Sequence, residues 1–193
     1  PELVINFYNE RRKQLLDVVP NAGHLGVADL ERDFNVTVVT QNVDNLHERA
    51  GSTHVIHLHG ELTKVCSSRD PYNPHFVKEL APEEYEVKLG DKAGDGTQLR
   101  PFIVWFGESV PEIETAIRYV EQADIFVIIG TSLNVYPAAG LLNYVPRAAE
   151  VYLIDPKPVD THVMRPIHVI QKGASEGVKE LKALLTVTQP PLP

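Results

Sequence analysis

Three short stretches of this chain gather side chains that can do chemistry. Residues 40–47 read TQNVDNLH and set the amides Gln41 and Asn42 beside the carboxylate Asp44. Residues 59–61 put the imidazole of His59 ahead of Gly60 and Glu61, and residues 130–132 form a small turn, Gly130-Thr131-Ser132. A primary amide offers a donor and an acceptor together. An imidazole titrates near neutral pH and serves as a general base. A small hydroxyl-bearing turn opening a helix suits a phosphate or a ribose hydroxyl, because free N–H groups and the helix dipole face the ligand. Taken singly, each stretch has a plainer meaning. Gln41-Asn42 is also a turn signal and Asp44 a cap, Gly-Thr-Ser closes many α/β turns, and a strand histidine is usually structural. That structural reading is kept for His57; the place of His59 at a strand end, just before glycine, sets it apart.

The elements around these stretches alternate in type. Residues 1–19 carry Leu3, Val4, Phe7, Leu15 and Leu16 at helical spacing, and Asn21 can cap a second helix to about residue 34. The runs 36–40 (VTVVT) and 54–58 (HVIHL) read as strands, the second stopped by Gly60. Residues 66–100 are rich in Pro, Gly, Asp and Lys without periodicity and read as an insertion or small subdomain. A strand is expected at 102–106, a helix opened by Pro111, and an all-apolar buried strand at 125–129 (IFVII). A helix opened by Pro137, strands at 151–154 and 167–170, and a last helix over 175–185 complete the pattern. Strands alternating with helices predict a parallel, doubly wound α/β sheet, which binds ligands beyond the carboxyl ends of its strands. The three chemical stretches follow three such ends.

Composition narrows the class. The 193 residues carry a net charge of −8, which argues against nucleic-acid binding through phosphate attraction. The single cysteine, Cys66, excludes a disulfide framework and a cysteine-rich zinc site within the chain, and reads as an inert thiol. No apolar run approaches the roughly 20 residues of a membrane span, and no signal peptide precedes Pro1, so the cytoplasm is expected. The Pro1-Glu2 start opens directly into a helical pattern, and an earlier segment is expected to be missing.

The stretches TQNVDNLHERAG at 40–51, HLHGEL at 57–62, VWFGE at 104–108 and GTSLNVYPAAG at 130–140 resemble, in order, the sirtuin family of NAD-dependent deacylases. The likeness runs from about residue 6 to 184 and is nearest to the bacterial class described as desuccinylases and demalonylases. It implies a Rossmann-like sheet in 1–65 and 101–187, a small module at 66–100 in place of a zinc-binding one, and a tail at 188–193. NAD would be the co-substrate, acyl-lysine proteins the partners, and nicotinamide, free lysine and O-acyl-ADP-ribose the products. His59 would be the base that deprotonates a ribose hydroxyl after nicotinamide has left, with Asn42 as a second catalytic residue. Gln41, Asn42, Val43 and Asp44 would hold the ribose and the carboxamide. Gly130, Thr131 and Ser132 would contact the adenosine side, and Asp155, Pro156, Lys157 and Ala174 would border the adenine. Val104, Phe106, Gly107 and Glu108 would run as an edge strand along the acyl-lysine peptide, with Leu133 and Val135 on its other side.

Acyl selectivity is expected from the first helix. Tyr8 and Arg11 are three residues apart and share a face. Arg11 lies about 60° from Tyr8, within the arc of Val4, Phe7 and Leu15, and Arg12 about 40° to the other side. An arginine facing an apolar interior needs an anionic partner, and the Tyr-x-x-Arg pair resembles the family's recognition of a succinyl or malonyl carboxylate. Only that pattern favours Arg11 over Arg12.

Two departures qualify the resemblance. The family's zinc cysteines are reduced here to Cys66, so no zinc is expected. The family's opening strand and glycine-rich loop do not occur, so the 193 residues alone are expected to bind NAD poorly. A non-catalytic acyl-lysine-binding module is the alternative, favoured by the absent loop and disfavoured by His59, Asn42 and Asp44 together. A dinucleotide-dependent oxidoreductase would need a G-x-G-x-x-G turn, which is not present.

Overall fold

The computed structural model describes residues 1–131, 137–158 and 165–188. The chain divides into two compact units. The first is Pro1–Val19, Thr40–Leu46 and His57–Pro111; the second is Pro20–Val39, His47–Ile56 and Glu112–Pro193. Residues 66–100, expected as a small module, fall within the first unit.

In the first unit, helix α1 (Glu2–Asp17) lies on strand β3 (Gly60–Ser67) and strand β5 (Leu99–Ile103). β3 is the middle of a three-stranded antiparallel sheet, flanked by β5 and the two-residue β4 (Lys78–Glu79). Ile5 of the helix joins Val65 and Val87 in a small core, with Leu80 and Leu99 packed against it. The strand expected to stop before Gly60 ends at His57, and Gly60 itself begins β3. Gly60 has φ +83°, and an added Cβ would stand 2.1 Å from the Phe102 carbonyl oxygen. Only glycine permits that turn and that close approach of two backbones. The strand expected at 102–106 is likewise displaced to 99–103. Val104 still donates its N–H to the His59 carbonyl at 3.0 Å, but the chain then turns, with the Glu108 N–H on the Trp105 carbonyl at 3.0 Å.

The burial of α1 is also corrected. Its buried residues are Ile5, Arg12 and Leu15, whereas Val4 and Phe7 are exposed. The face toward the sheet therefore contains Arg12 and turns Arg11 outward.

The second unit is built on a parallel sheet of β6 (Ile125–Ile129), β7 (Glu150–Ile154) and β8 (His168–Ile170). β6 forms at the expected bounds, but the expectation that it is buried is corrected: it is an edge of the described sheet, and only Ile128 is buried while its other residues are partly exposed. Helix α5 (Ala174–Thr188) covers β7 and β8 and packs on α2 (Ala22–Asp29). Leu30, Tyr152, Ile154, Ile170, Val178, Leu181 and Leu185 form one buried core there. The Asn21 side chain accepts from the Gly23 and His24 amides, the cap expected from the sequence. The expected second helix is shorter, closing in a 3-10 turn at Leu30–Arg32. The helix expected after Pro137 is 3-10, Ala138–Tyr144, and the one after Pro111 is α4, Ile113–Val120. α5 reaches Thr188, so residue 188 belongs to the helix rather than the expected tail.

Strands β1 (Val38–Thr40) and β2 (Val55–His57) pair as a further two-stranded sheet and lead the chain between the units. With helix α3 (Leu46–Ala50), these elements make an α/β architecture with a Rossmann-like parallel sheet. Among the described residues no helix is long and apolar enough to cross a membrane.

Candidate functional site

The loop after β1 is pinned by its own backbone. Thr40, buried to 7% exposure, accepts the Asn42 N–H on its hydroxyl at 3.0 Å and the Leu58 N–H on its carbonyl at 3.0 Å. Val43 accepts the Leu62 N–H at 2.7 Å, and Asp44 caps α3 by accepting the Leu46 N–H at 3.0 Å. Gln41, Asn42, Val43 and Asp44 thus sit on a loop fixed at both ends, with Asn42 exposed. Asp44 performs the plain capping role as well as any role toward a ligand.

His59 meets this loop. Its Nδ1 lies 3.2 Å from the Gln41 carbonyl oxygen. A carbonyl only accepts, so this contact fixes the proton on Nδ1 and leaves Nε2 with a free lone pair. The Val104 N–H holds the His59 carbonyl, and Gly60 lets the two backbones approach, so the main chain that carries the ring is fixed on both sides. His57 also places Nδ1 near a carbonyl, that of Asn42 at 3.3 Å. Thr40, Gly60 and the Val104 amide as anchors of this cluster were not foreseen. A β-branched hydroxyl in an apolar strand was the one available signal, and it marked Thr40 only as a strand residue.

Beyond Val104 the chain forms a rigid corner. Arg100, whose side chain is 11% exposed, pairs with Glu108 (Nη1 to Oε1 2.8 Å, Nη2 to Oε2 3.1 Å). Glu108 Oε2 also accepts the Trp105 N–H at 2.8 Å. The Arg100 bond, more than the Trp105 amide, holds the Glu108 carboxyl below its usual range. The carboxylate of Glu108 therefore shapes the corner, while Phe106 and Gly107 stand exposed at its tip, Gly107 with φ +90°.

On α1, Tyr8 is half-buried and its hydroxyl accepts the Trp105 indole N–H at 2.9 Å. The expectation that Arg11 faces an apolar interior is corrected. Arg11 is exposed, donates to Gln14 Oε1 at 2.9 Å and lies 5.1 Å from the Phe7 ring centroid. The buried arginine is Arg12, at 3% exposure. Its partners are neutral oxygens: the Leu62 carbonyl at 2.8 Å, Asn9 Oδ1 at 2.8 Å and the Tyr85 carbonyl at 3.3 Å. Burial lowers its pKa to about 10.

In the second unit, Gly130 follows β6 with φ +60°, its N–H on the Ile154 carbonyl at 2.9 Å, and among the described residues no atom lies within 4 Å of where a Cβ would project. Thr131 follows. Asp155 follows β7 and turns the chain by accepting the Lys157 N–H at 2.8 Å, leaving Pro156 and Lys157 exposed. Ala174 opens α5. These residues occupy the carboxyl edge of the parallel sheet, where open α/β sheets bind ligands. Ser132, Leu133 and Val135 lie outside the described residues.

The residues present do not fit a zinc site. Among the described residues no group of three or more His, Cys, Asp or Glu side chains could hold a metal ion. Cys66 is fully buried, its Sγ 3.7 Å from the Pro101 carbonyl, and burial pushes its thiol up to about 11. Next to it, buried Ser67 donates to Asp95 at 2.7 Å and accepts the Arg69 and Asp70 amides, each at 3.0 Å.

Known proteins share this arrangement. The Sir2 family model matches residues 1–137. A protein of Bacteroides thetaiotaomicron named NAD-dependent protein deacylase is 83% identical over 185 residues, spanning 96% of this chain and 79% of its own length. The crystal structure of a Sir2 homolog–NAD complex aligns with a TM-score of 0.80 at 36% identity, covering 97% of this chain and 73% of that one. A Sir2 complex with a p53 peptide and NAD+ aligns with a TM-score of 0.72 at 27% identity, covering 91% and 74%. On the family match and this identity, the chain belongs to the Sir2 family.

Proposed function

We propose that this protein is an NAD-dependent protein-lysine deacylase that prefers acidic acyl groups. The observation that carries the reading is the oriented imidazole of His59. Its Nδ1–H on the Gln41 carbonyl leaves Nε2 as the acceptor, beside a loop bearing two amides and a carboxylate. NAD supplies an electrophilic ribose carbon and the hydroxyl to which the acyl group passes. Gln41, Asn42, Val43 and Asp44 hold the ribose and carboxamide. His59 takes the proton from the ribose hydroxyl, and Asn42 orients the reacting groups. Gly130 and Thr131 contact the adenosine end, with Asp155, Pro156, Lys157 and Ala174 bordering the adenine; a Cβ at Gly130 would meet no described atom within 4 Å. Val104, Phe106 and Gly107 face the peptide, and Tyr8 with the exposed Arg11 reads the acyl carboxylate. The acidic chain with one buried thiol suits the cytoplasm.

The test is mass spectrometry of matched acetyl-, malonyl- and succinyl-lysine peptides incubated with NAD and the protein. Removal of succinyl or malonyl about tenfold faster than acetyl is expected, a ratio worth about 1.4 kcal/mol. Arg11→Met should erase that preference. Peptides that bind and return intact would instead identify an acyl-lysine-binding module.

A further inference from the structure

Trp105 lies between residues assigned to the peptide yet does something different. Its indole N–H donates to the Tyr8 hydroxyl at 2.9 Å, across 97 residues of sequence. An indole nitrogen only donates, so the tyrosine oxygen must accept. Tyr8 keeps one proton to give, and no described residue takes it. The tryptophan is itself held firmly. Its backbone N–H is bound by Glu108 at 2.8 Å, and the Arg100 guanidinium lies 3.6 Å from its ring centroid. Arg100 in turn is fixed by Glu108 and by the Ile103 carbonyl at 2.8 Å. A cation over the ring withdraws electron density and strengthens the N–H as a donor.

We propose that Trp105, backed by Arg100, is a positioning residue that presets Tyr8 as a hydrogen-bond donor toward an anionic acyl group. The chain of contacts makes the phenol accept from the protein and donate to the ligand. A carboxylate at the end of the acyl chain can use that proton; an acetyl group has nothing there to accept it. The proposal rests on the deacylase reading and assigns selectivity within it to a residue that need not touch the substrate.

The experiment compares kcat and KM for succinyl- and acetyl-lysine peptides in the unmodified full chain, Trp105→Phe, Tyr8→Phe and the double variant. Phenylalanine keeps a ring for Arg100 and removes the N–H. Trp105→Phe should lower the succinyl-to-acetyl ratio of kcat/KM about tenfold, the effect lying in the succinyl KM. The same change made in Tyr8→Phe should lower the ratio no further. Should Trp105→Phe fail to fold, benzothienylalanine can be incorporated at Trp105, the sole tryptophan of the chain. It swaps the N–H for sulfur at nearly constant shape, and the same fall in ratio is expected. An unchanged ratio, or equal losses on both peptides, would overturn the proposal and leave the deacylase reading standing. An unmodified protein that removes neither acyl group at saturating NAD would overturn both.

Discussion

The two units hold together by different means. In the second, adhesion is apolar: a parallel sheet of Ile, Val and Leu lies under α5, and its core residues Ile154, Val178 and Leu181 are at most 1% exposed. In the first, the described cluster of Ile5, Val65 and Val87 is joined by a set of buried polar bonds. Ser67 is 0% exposed and carries four hydrogen-bond contacts, counting Asp95, Thr97, Arg69 and Asp70. Asn9 exchanges hydrogen bonds with the Val87 backbone at 2.8 and 3.0 Å, and Arg12 and Arg100 bind carbonyls. Apolar packing is tolerant of shape and gives a stable platform. Polar bonds are directional, and they orient His59, Trp105 and Tyr8. The difference places His59 and Tyr8, the base and the acyl reader of the proposed function, in the unit with the stricter geometry.

The largest effect expected from breaking this contrast is at two glycines. Gly60→Ala sets a Cβ 2.1 Å from a backbone oxygen at positive φ, and about 4 kcal/mol of destabilisation is expected. Gly177→Ala meets a side-chain methyl of Ile154 at the same 2.1 Å, which repacks, for about 2 kcal/mol. Denaturant titration of both variants measures the gap, and equal losses would erase the distinction drawn here.

A smaller effect is expected at Ser67→Ala. It takes one partner from Asp95 and from the backbone amides of Arg69 and Asp70, for about 1 kcal/mol. Burial protects Cys66 from thiol reagents in the native protein, so the variant should label faster at Cys66 than the unmodified chain does. Labelling at an unchanged rate would show that the serine is not what closes this region.

The smallest effect is in acid. The Ser67 and Thr97 bonds hold the Asp95 carboxyl down to about 2. A depressed carboxylate stabilises the fold above its unfolded pKa and loses that contribution as pH falls toward the folded value. The Arg100 bond depresses Glu108 in the same sense. Between roughly pH 4 and 2 the first unit should lose the Asp95 and Glu108 contributions. Fluorescence of Trp105, whose backbone N–H is bound by Glu108, should change over that range, and an unchanged signal would contradict it.

The same contrast decides what the sequence made legible. β6 was read at its observed bounds, because an unbroken apolar run has few other uses. β7 differed by one residue and β8 by one. β3 was missed: Thr63, Lys64 and Ser67 interrupt its apolar residues, and its burial does not alternate. A strand whose buried residues include a glycine and a hydrogen-bonded serine beside Leu62, Val65 and Cys66 carries no period-two hydrophobic signature. Arg11 and Arg12 stand nearly symmetrically about Tyr8 on a helical wheel, so only the sheet beneath α1 could decide which is buried. The chemical stretches themselves were legible, since each follows a strand end. What fixes them, from the Gly60 approach to the Trp105–Tyr8 bond, joins residues far apart in the chain and leaves no local pattern.

The central claim is that His59 acts as a base after nicotinamide has left. It is tested most directly by incubating His59→Ala with NAD, an acyl-lysine peptide and isotope-labelled nicotinamide, and following label and free lysine by mass spectrometry. The account predicts that label enters NAD while release of free lysine falls at least a hundredfold. Release of lysine at the rate of the unmodified protein would contradict it.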